Sequence, residues 1–306
     1  MENSRRSFLK TAGAGAAGMA LASLETACGT PQVVNRSSVF QTTPSNEKMT
    51  IQINGSPSHY TGLFPNPNCP LAIVPRDRTF TVTLNPQISA VATPLNGWLF
   101  GVAVSGVVFD PTGPFWSQSI TGPGTWEFEV MSANGRPYLG LDGSCAHVQP
   151  DGEYHYHGLP YALISQLQQR QAASDMLLIG YAADGFPIYS HLMHDTVNDV
   201  ASPLRPARSS YQLLSGLRPA AAPTGVYDGT FVQDYVYVEG SGDLDECNGV
   251  FGVTPEFPNG IYHYHITEQF PFIPRFYRGT PDPSFAHGNP GPFPNGVPPA
   301  LQNFAR

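Results

Sequence analysis

The amino-acid sequence predicts a mainly β protein: an antiparallel, sandwich-like single domain with one short connecting helix. Three observations predict it. Gly and Pro number 31 each while charged residues make up only 12%, so the Lys- and Glu-rich faces of soluble helices are missing and strands and turns are favoured. Asn-Gly or Asp-Gly pairs begin at 54, 96, 134, 142, 151, 184, 228, 248, 259 and 295, and each is a tight-turn signal. Between them run short stretches that alternate apolar and polar residues, the period of a half-buried strand.

The chain opens with Ser4-Arg5-Arg6-Ser7-Phe8-Leu9-Lys10, followed by an Ala- and Gly-rich run from Thr11 to Leu24. An arginine pair, a Phe-Leu step and a weakly apolar run together have the layout of a twin-arginine export signal. The run is too short to span a bilayer, and no later segment is apolar for the ~18 residues that a span needs. Cys28, in Leu24-Glu25-Thr26-Ala27-Cys28-Gly29, follows an imperfect lipobox, so a lipid anchor at Cys28 competes with ordinary cleavage after Ala22 or Ala27. Residues 1–28 are therefore read as the signal and 29–48, rich in Ser, Thr, Asn and Gln, as a flexible linker. The mature chain is expected in the periplasm or outside the cell.

Residues 49–280 form the expected β domain, with no composition shift that would mark a second one. Strands are predicted over Arg78–Leu84, Thr125–Met131, Leu177–Ala183, Phe186–Ser190 and Phe231–Val238; Asp184-Gly185 makes the third and fourth a hairpin. The helix is placed at Tyr161–Ser174. Residues 281–306, dense in proline, should lie over the domain as an extended strap. A net charge of -8 excludes a nucleic-acid partner, which requires a basic face.

One tetrapeptide occurs twice. Tyr154-His155-Tyr156-His157 follows Asp151-Gly152, and Tyr262-His263-Tyr264-His265 follows Asn259-Gly260. With 14 Tyr and 9 His in the chain, chance supplies a single copy with probability roughly 5×10⁻⁴, so the recurrence is a signal in its own right. In a strand, His155 and His157 share one face with Cα atoms roughly 6.7 Å apart, and the tyrosines take the other. The same holds for His263 and His265. Side-by-side strands would direct up to four imidazoles at one transition-metal ion: copper, zinc or iron. His147 is a further ligand or a group that orients the others. Asp142, Asp245 and Glu246 are candidates to hold the far nitrogens of the rings. His59, His191, His194 and His287 follow no pattern and read as surface or packing residues. Cys145 and Cys247 either form a disulfide, the preferred reading in an oxidising compartment, or act as thiolate ligands; Cys69 is left alone. Asp243, Asp245 and Glu246 read as a solvated turn rather than a hard-cation site.

The chain resembles the YHYH-domain proteins. The resemblance rests on both tetrapeptides, on Phe100-Gly101-Val102-Ala103 with Gly106-Val107 and Phe109, on Cys145 and His147, on Gly180-Tyr181 with Asp184-Gly185-Phe186-Pro187-Ile188, and on Leu244-Asp245-Glu246-Cys247-Asn248-Gly249. Ala146 and Ser190 depart from it, each standing where glycine looks more usual. The resemblance implies an exported bacterial protein and no settled reaction. Two functions of different class follow. The first is an exported metal-binding protein, with catalysis left open, that uses the twin-arginine machinery, a route that resembles that of proteins exported folded with a cofactor in place. The second is a non-enzymatic protein whose aromatic faces bind a glycan or a protein partner.

Overall fold

The computed structural model describes residues 38–116, 126–170 and 176–287. The export signal, Cys28 and most of the Pro-rich tail lie outside the described residues. Strand makes up 31% of the chain and helix 8%, which bears out the mainly β expectation.

Strands β1 (Phe40–Pro44), β2 (Lys48–Ile53) and β3 (Arg78–Thr83) form an antiparallel three-stranded sheet. Met49, Ile51, Ile53, Phe80 and Val82 alternate inward and are buried in the main core. β1 falls inside the segment expected to be a linker: Thr42 and Thr43 sit well on a pleated edge and pair with Ile51 and Thr50.

Strands β4 (Thr93–Pro94), β5 (Gly101–Ala103), β6 (Val108–Phe109), β7 (Ala146–Val148), β8 (Tyr154–Tyr156), β9 (Leu178–Ala182), β10 (Pro187–Tyr189), β11 (Leu192–His194), β12 (Leu204–Pro206), β13 (Tyr211–Leu213), β14 (Tyr235–Tyr237), β15 (Gly249–Gly252), β16 (Ile261–His265) and β17 (Phe276–Tyr277) complete the chain. Eight of them form one half-barrel sheet in the order β15-β16-β10-β9-β5-β6-β8-β7. This sheet is mixed: β6/β8 and β10/β16 pair in parallel, the other neighbours antiparallel. The pairs β11-β12, β13-β14 and β4-β17 stand beside it.

The strand order is its own mirror about the β5/β9 pair. Each half is a hairpin (β5-β6 or β9-β10), then a parallel strand carrying one tetrapeptide, then an antiparallel edge strand. Individual bonds repeat. Gly106 N–H donates to Ala103 O at 3.0 Å and Gly185 N–H to Ala182 O at 2.9 Å, both glycines at positive φ. At the central crossing a Cβ on Gly101 would lie 2.5 Å from Tyr181 O, and one on Gly180 would lie 2.4 Å from Val102 O. Only glycine lets the two backbones approach so closely. The two halves are thus closely related, although the Cys-to-Tyr spacing in the sequence differs.

Three expectations need correction. Around Phe128 only isolated bridges form, Phe115 to Glu127 and Phe128 to Phe231, rather than a strand. Val232–Asp234 is a 3-10 turn because the Asp234 carboxylate draws in the N–H groups of Gly229 and Phe231 and the guanidinium of Arg218. The helix spans Tyr161–Gln168, shorter than predicted. Phe285, in the last described segment, stacks on Phe80 with ring centroids 4.4 Å apart.

Candidate metal centre

β7 and β8 form the outer pair of the first half, with His147 opposite His155 in register. Paired residues on antiparallel strands share a face, and His157 lies two residues beyond His155 on that same face. The three Nε2 atoms converge: His157 Nε2 is 2.8 Å from His155 Nε2 and 3.1 Å from His147 Nε2. Among the described residues this is the one group of three or more His, Cys, Asp or Glu with all ligand atoms within 4.8 Å of one another.

The backbone fixes two of the three tautomers. His147 Nδ1 lies 3.0 Å from Leu139 O, and His155 Nδ1 3.2 Å from Glu153 O. A carbonyl only accepts, so each Nδ1 carries the proton and each Nε2 keeps its lone pair. His157 Nδ1 is buried with no hydrogen-bond partner. Burial depresses all three basicities, His147 to about 3 and His155 to about 4, with His157 well below its ordinary value. Repulsion between the rings adds to this for His147 and His157. The inward lone pairs of His147 and His155 therefore both face His157 Nε2, where either a proton on that nitrogen or a cation at the common focus satisfies them. The buried Asp110, which follows β6, favours a positive charge on His147.

The opposite face of β8 anchors the strand. Tyr154 O–H donates to Asp142 Oδ2 at 2.7 Å, and the Tyr156 hydroxyl meets Ser105 Oγ at 2.9 Å and His59 Nε2. Asp142 also accepts the N–H groups of Gly62, Ser144 and Ala146. Of the carboxylates expected to orient the histidines, Asp142 and Asp245 hold tyrosines and Glu246 pairs with Arg278, while backbone carbonyls orient His147 and His155. The tetrapeptide tyrosines are buried and present no face to a glycan.

The second copy repeats this frame at the other edge. Tyr262 O–H donates to Asp245 Oδ1 at 3.0 Å, and Tyr264 O–H to Asp184 Oδ2 at 2.5 Å. Asp184 thus takes the place of Ser105. His157 N–H donates to Cys145 O, and His265 N–H to Asn248 O. His263 Nδ1 lies 3.0 Å from Ile261 O, the same two-residue reach as His155 to Glu153. Opposite His263, however, stands Val250 rather than a histidine. The expectation that four imidazoles meet at one ion is corrected: β10, β9, β5 and β6 separate β16 from β8, and His263 and His265 take no part in the first triad. The two tetrapeptide strands are equivalent in the repeat rather than neighbours in the sheet.

Cys145 and Cys247 are buried free thiols, so the expected disulfide is not formed. Each precedes the edge strand of its own half, at opposite ends of the sheet. Burial pushes the Cys145 thiol up to about 11 and Cys247 higher still, against thiolate character at either position. Asp243 pairs with Arg205 and Arg208, and Asp245 and Glu246 pair with Arg278. That cluster is therefore a set of ion pairs rather than a freely solvated turn.

Sequence reasoning missed His194. It is buried on β11, donates Nδ1–H to Ser202 O at 3.1 Å, and has a buried Nε2 with no partner. No local period announces it; its signal is the repeat itself, which leaves one histidine missing opposite His263. An apolar cleft lined by Met49, Val82, Leu84, Tyr181, Phe257 and Ile261 contains none of these histidines.

The family model described as YHYH protein matches residues 79–279, and the one for the twin-arginine translocation pathway signal sequence matches residues 2–22. No curated protein and no solved structure matches the chain.

Proposed function

The chain belongs to the YHYH protein family and carries a twin-arginine export signal, and from there we propose that it is an exported metal-binding protein whose ion is held by His147, His155 and His157. One observation carries the reading: the Nε2 atoms of half-buried His147 and buried His155 lie within 3.1 Å of that of buried His157, with both their tautomers set by carbonyls so that their lone pairs face inward. Buried polar atoms ordinarily have partners, and a ligating histidine characteristically gives its other nitrogen to a carbonyl or carboxylate. Around a tetrahedral zinc at ~2.0–2.1 Å, ligand nitrogens stand roughly 3.3 Å apart, close to the spacing here.

The imidazole set suits zinc, copper or iron. A resident ion would supply Lewis acidity, and three protein nitrogens are the ligand count of catalytic rather than closed structural zinc sites. The protein's own groups do the rest. The Leu139 and Glu153 carbonyls hold the rings in orientation, and burial keeps them unprotonated at neutral pH. Export delivers the chain to the periplasm or beyond, and no helix among the described residues is long and apolar enough to cross a membrane. The tetrapeptide tyrosines, buried and bonded, do not supply the aromatic face that a glycan- or partner-binding reading needs.

The test is metal content. The variant carrying His155→Ala and His157→Ala, purified folded as judged by circular dichroism, should bind one equivalent of Co²⁺ or Zn²⁺ fewer than the parent. Full retention of the parent's metal content in that variant rules the site out.

A further inference from the structure

We propose that the second half of the sheet holds a separate site for a transition-metal cation, built from His263, His265 and His194. β11 there supplies the ring that the repeat lacks at Val250. Three independent observations support it.

The first is the frame. His263 and His265 sit in the register of His155 and His157, with ring centroids 5.1 Å apart against 4.6 Å in the first half. The second pair is the more open one: His155 and His157 Nε2 lie 2.8 Å apart, whereas His265 Nε2 has no partner within hydrogen-bond distance.

The second is the protonation pattern. All three Nδ1 atoms are committed to backbone carbonyls: His263 to Ile261 O at 3.0 Å, His265 to Ser190 O at 2.7 Å and His194 to Ser202 O at 3.1 Å. Each neutral ring therefore turns its Nε2 lone pair away from the backbone that holds it. The Nε2 atoms of His265 and His194 are buried, yet nothing in the protein bonds to them. A packing histidine would use its second nitrogen or leave it to water, whereas these keep an acceptor in the interior.

The third is placement. Burial is the main cause that lowers His263 to about 4, and the neighbouring His194 acts in the same direction, so the two rings lie within electrostatic reach of each other. Met193, next to His194 on β11, packs in the same apolar cluster as Val250, the residue paired with His263. β11 thus packs beside the strand pair that carries His263. The second set is more open than the first, whose ligand atoms alone gather within 4.8 Å. An ion must draw His194 inward, so this site should bind more weakly than the first. His191, the other histidine near His265, keeps an unpartnered Nδ1 and is the rival third ring.

The experiment is Co²⁺ titration of the full mature chain, followed by visible absorption and by metal analysis after desalting. The parent should take up two equivalents, the second more weakly. His194→Ala should remove the weaker equivalent and leave the stronger one, and the pair His263→Ala with His265→Ala should do the same. The variant with His155→Ala and His157→Ala should lose only the stronger equivalent, so failure of the first site and failure of this one give different patterns. The milder His265→Asn serves if the double variant does not fold. The proposal is overturned if the parent binds one equivalent that vanishes with His155 and His157. It is also overturned if His194→Ala keeps both equivalents, or if His191→Ala rather than His194→Ala removes the weaker one.

Discussion

At one edge of the eight-stranded sheet His147 faces His155 across a strand pair; at the other, Val250 faces His263. Around those positions the halves agree closely. A turn aspartate, Asp142 or Asp245, accepts the first tyrosine of each tetrapeptide. A hairpin residue, Ser105 or Asp184, meets the hydroxyl of the second. The comparison separates two roles within one four-residue motif. The tyrosines, with their acceptors, hold the strand in place and are kept in both halves. The histidine face is where the halves diverge.

Acidification should have the largest effect on this pairing. Burial lowers His147 and His265 to about 3 and His155 and His263 to about 4. A depressed value delays competition between protons and metal for the lone pair. Bound Co²⁺ should therefore persist at both edges down to about pH 5 and be released near about pH 4, whereas exposed imidazoles would give it up near about 6.5. Absorbance followed against pH, in variants with one site deleted, checks each edge. Release of either edge near about 6.5 would mean that its rings are solvated, and the equivalence would break.

A smaller effect distinguishes the two tyrosine anchors. Asp184 is buried and accepts from Tyr264 O–H, Gly279 N–H and Phe186 N–H; Ser105 meets only the hydroxyl of Tyr156 among these partners. Asp184→Ala should cost about 3 kcal/mol of unfolding free energy because it strands several buried donors, and Ser105→Ala about 1 kcal/mol. Urea denaturation measures both. Equal losses would show that the extra bonds of Asp184 add nothing to the second half.

The smallest expected change sharpens the comparison instead of breaking it. Val250→His restores the residue that the first half carries and should tighten Co²⁺ binding at the second edge about tenfold while leaving the first edge unchanged. Competition against a chelator reads this directly. An unchanged affinity would mean that β11 already completes the ligand set or that the new ring cannot reach it.

Much of the site was legible before folding was considered. The recurrence of Tyr-His-Tyr-His, with period-two alternation, placed the histidines on one face and the tyrosines on the other, and both strands form that way. Asp184-Gly185 announced its hairpin because a glycine at positive φ is a local requirement. His194 was not legible, because four strands, β12 to β15, lie between it and His263 in the chain. Nor was the fate of Asp142 and Asp245: each is bonded to a tyrosine rather than to a ring, a choice set by which face of the strand its turn folds over.

The sequence by itself determined the route of export, the mainly β character and the sidedness of each tetrapeptide. All three depend on residues close together in the chain: an arginine pair ahead of an apolar run, turn pairs between alternating strands, and a two-residue side-chain period. Only the tertiary structure decided where those strands stand relative to each other. Which strands become neighbours is settled by the parallel crossovers β6 to β8 and β10 to β16 and by the close glycine crossing of β5 and β9. Those contacts join residues far apart in the chain, and they set the two histidine pairs near opposite edges of one sheet while the tetrapeptide tyrosines are buried in a common core.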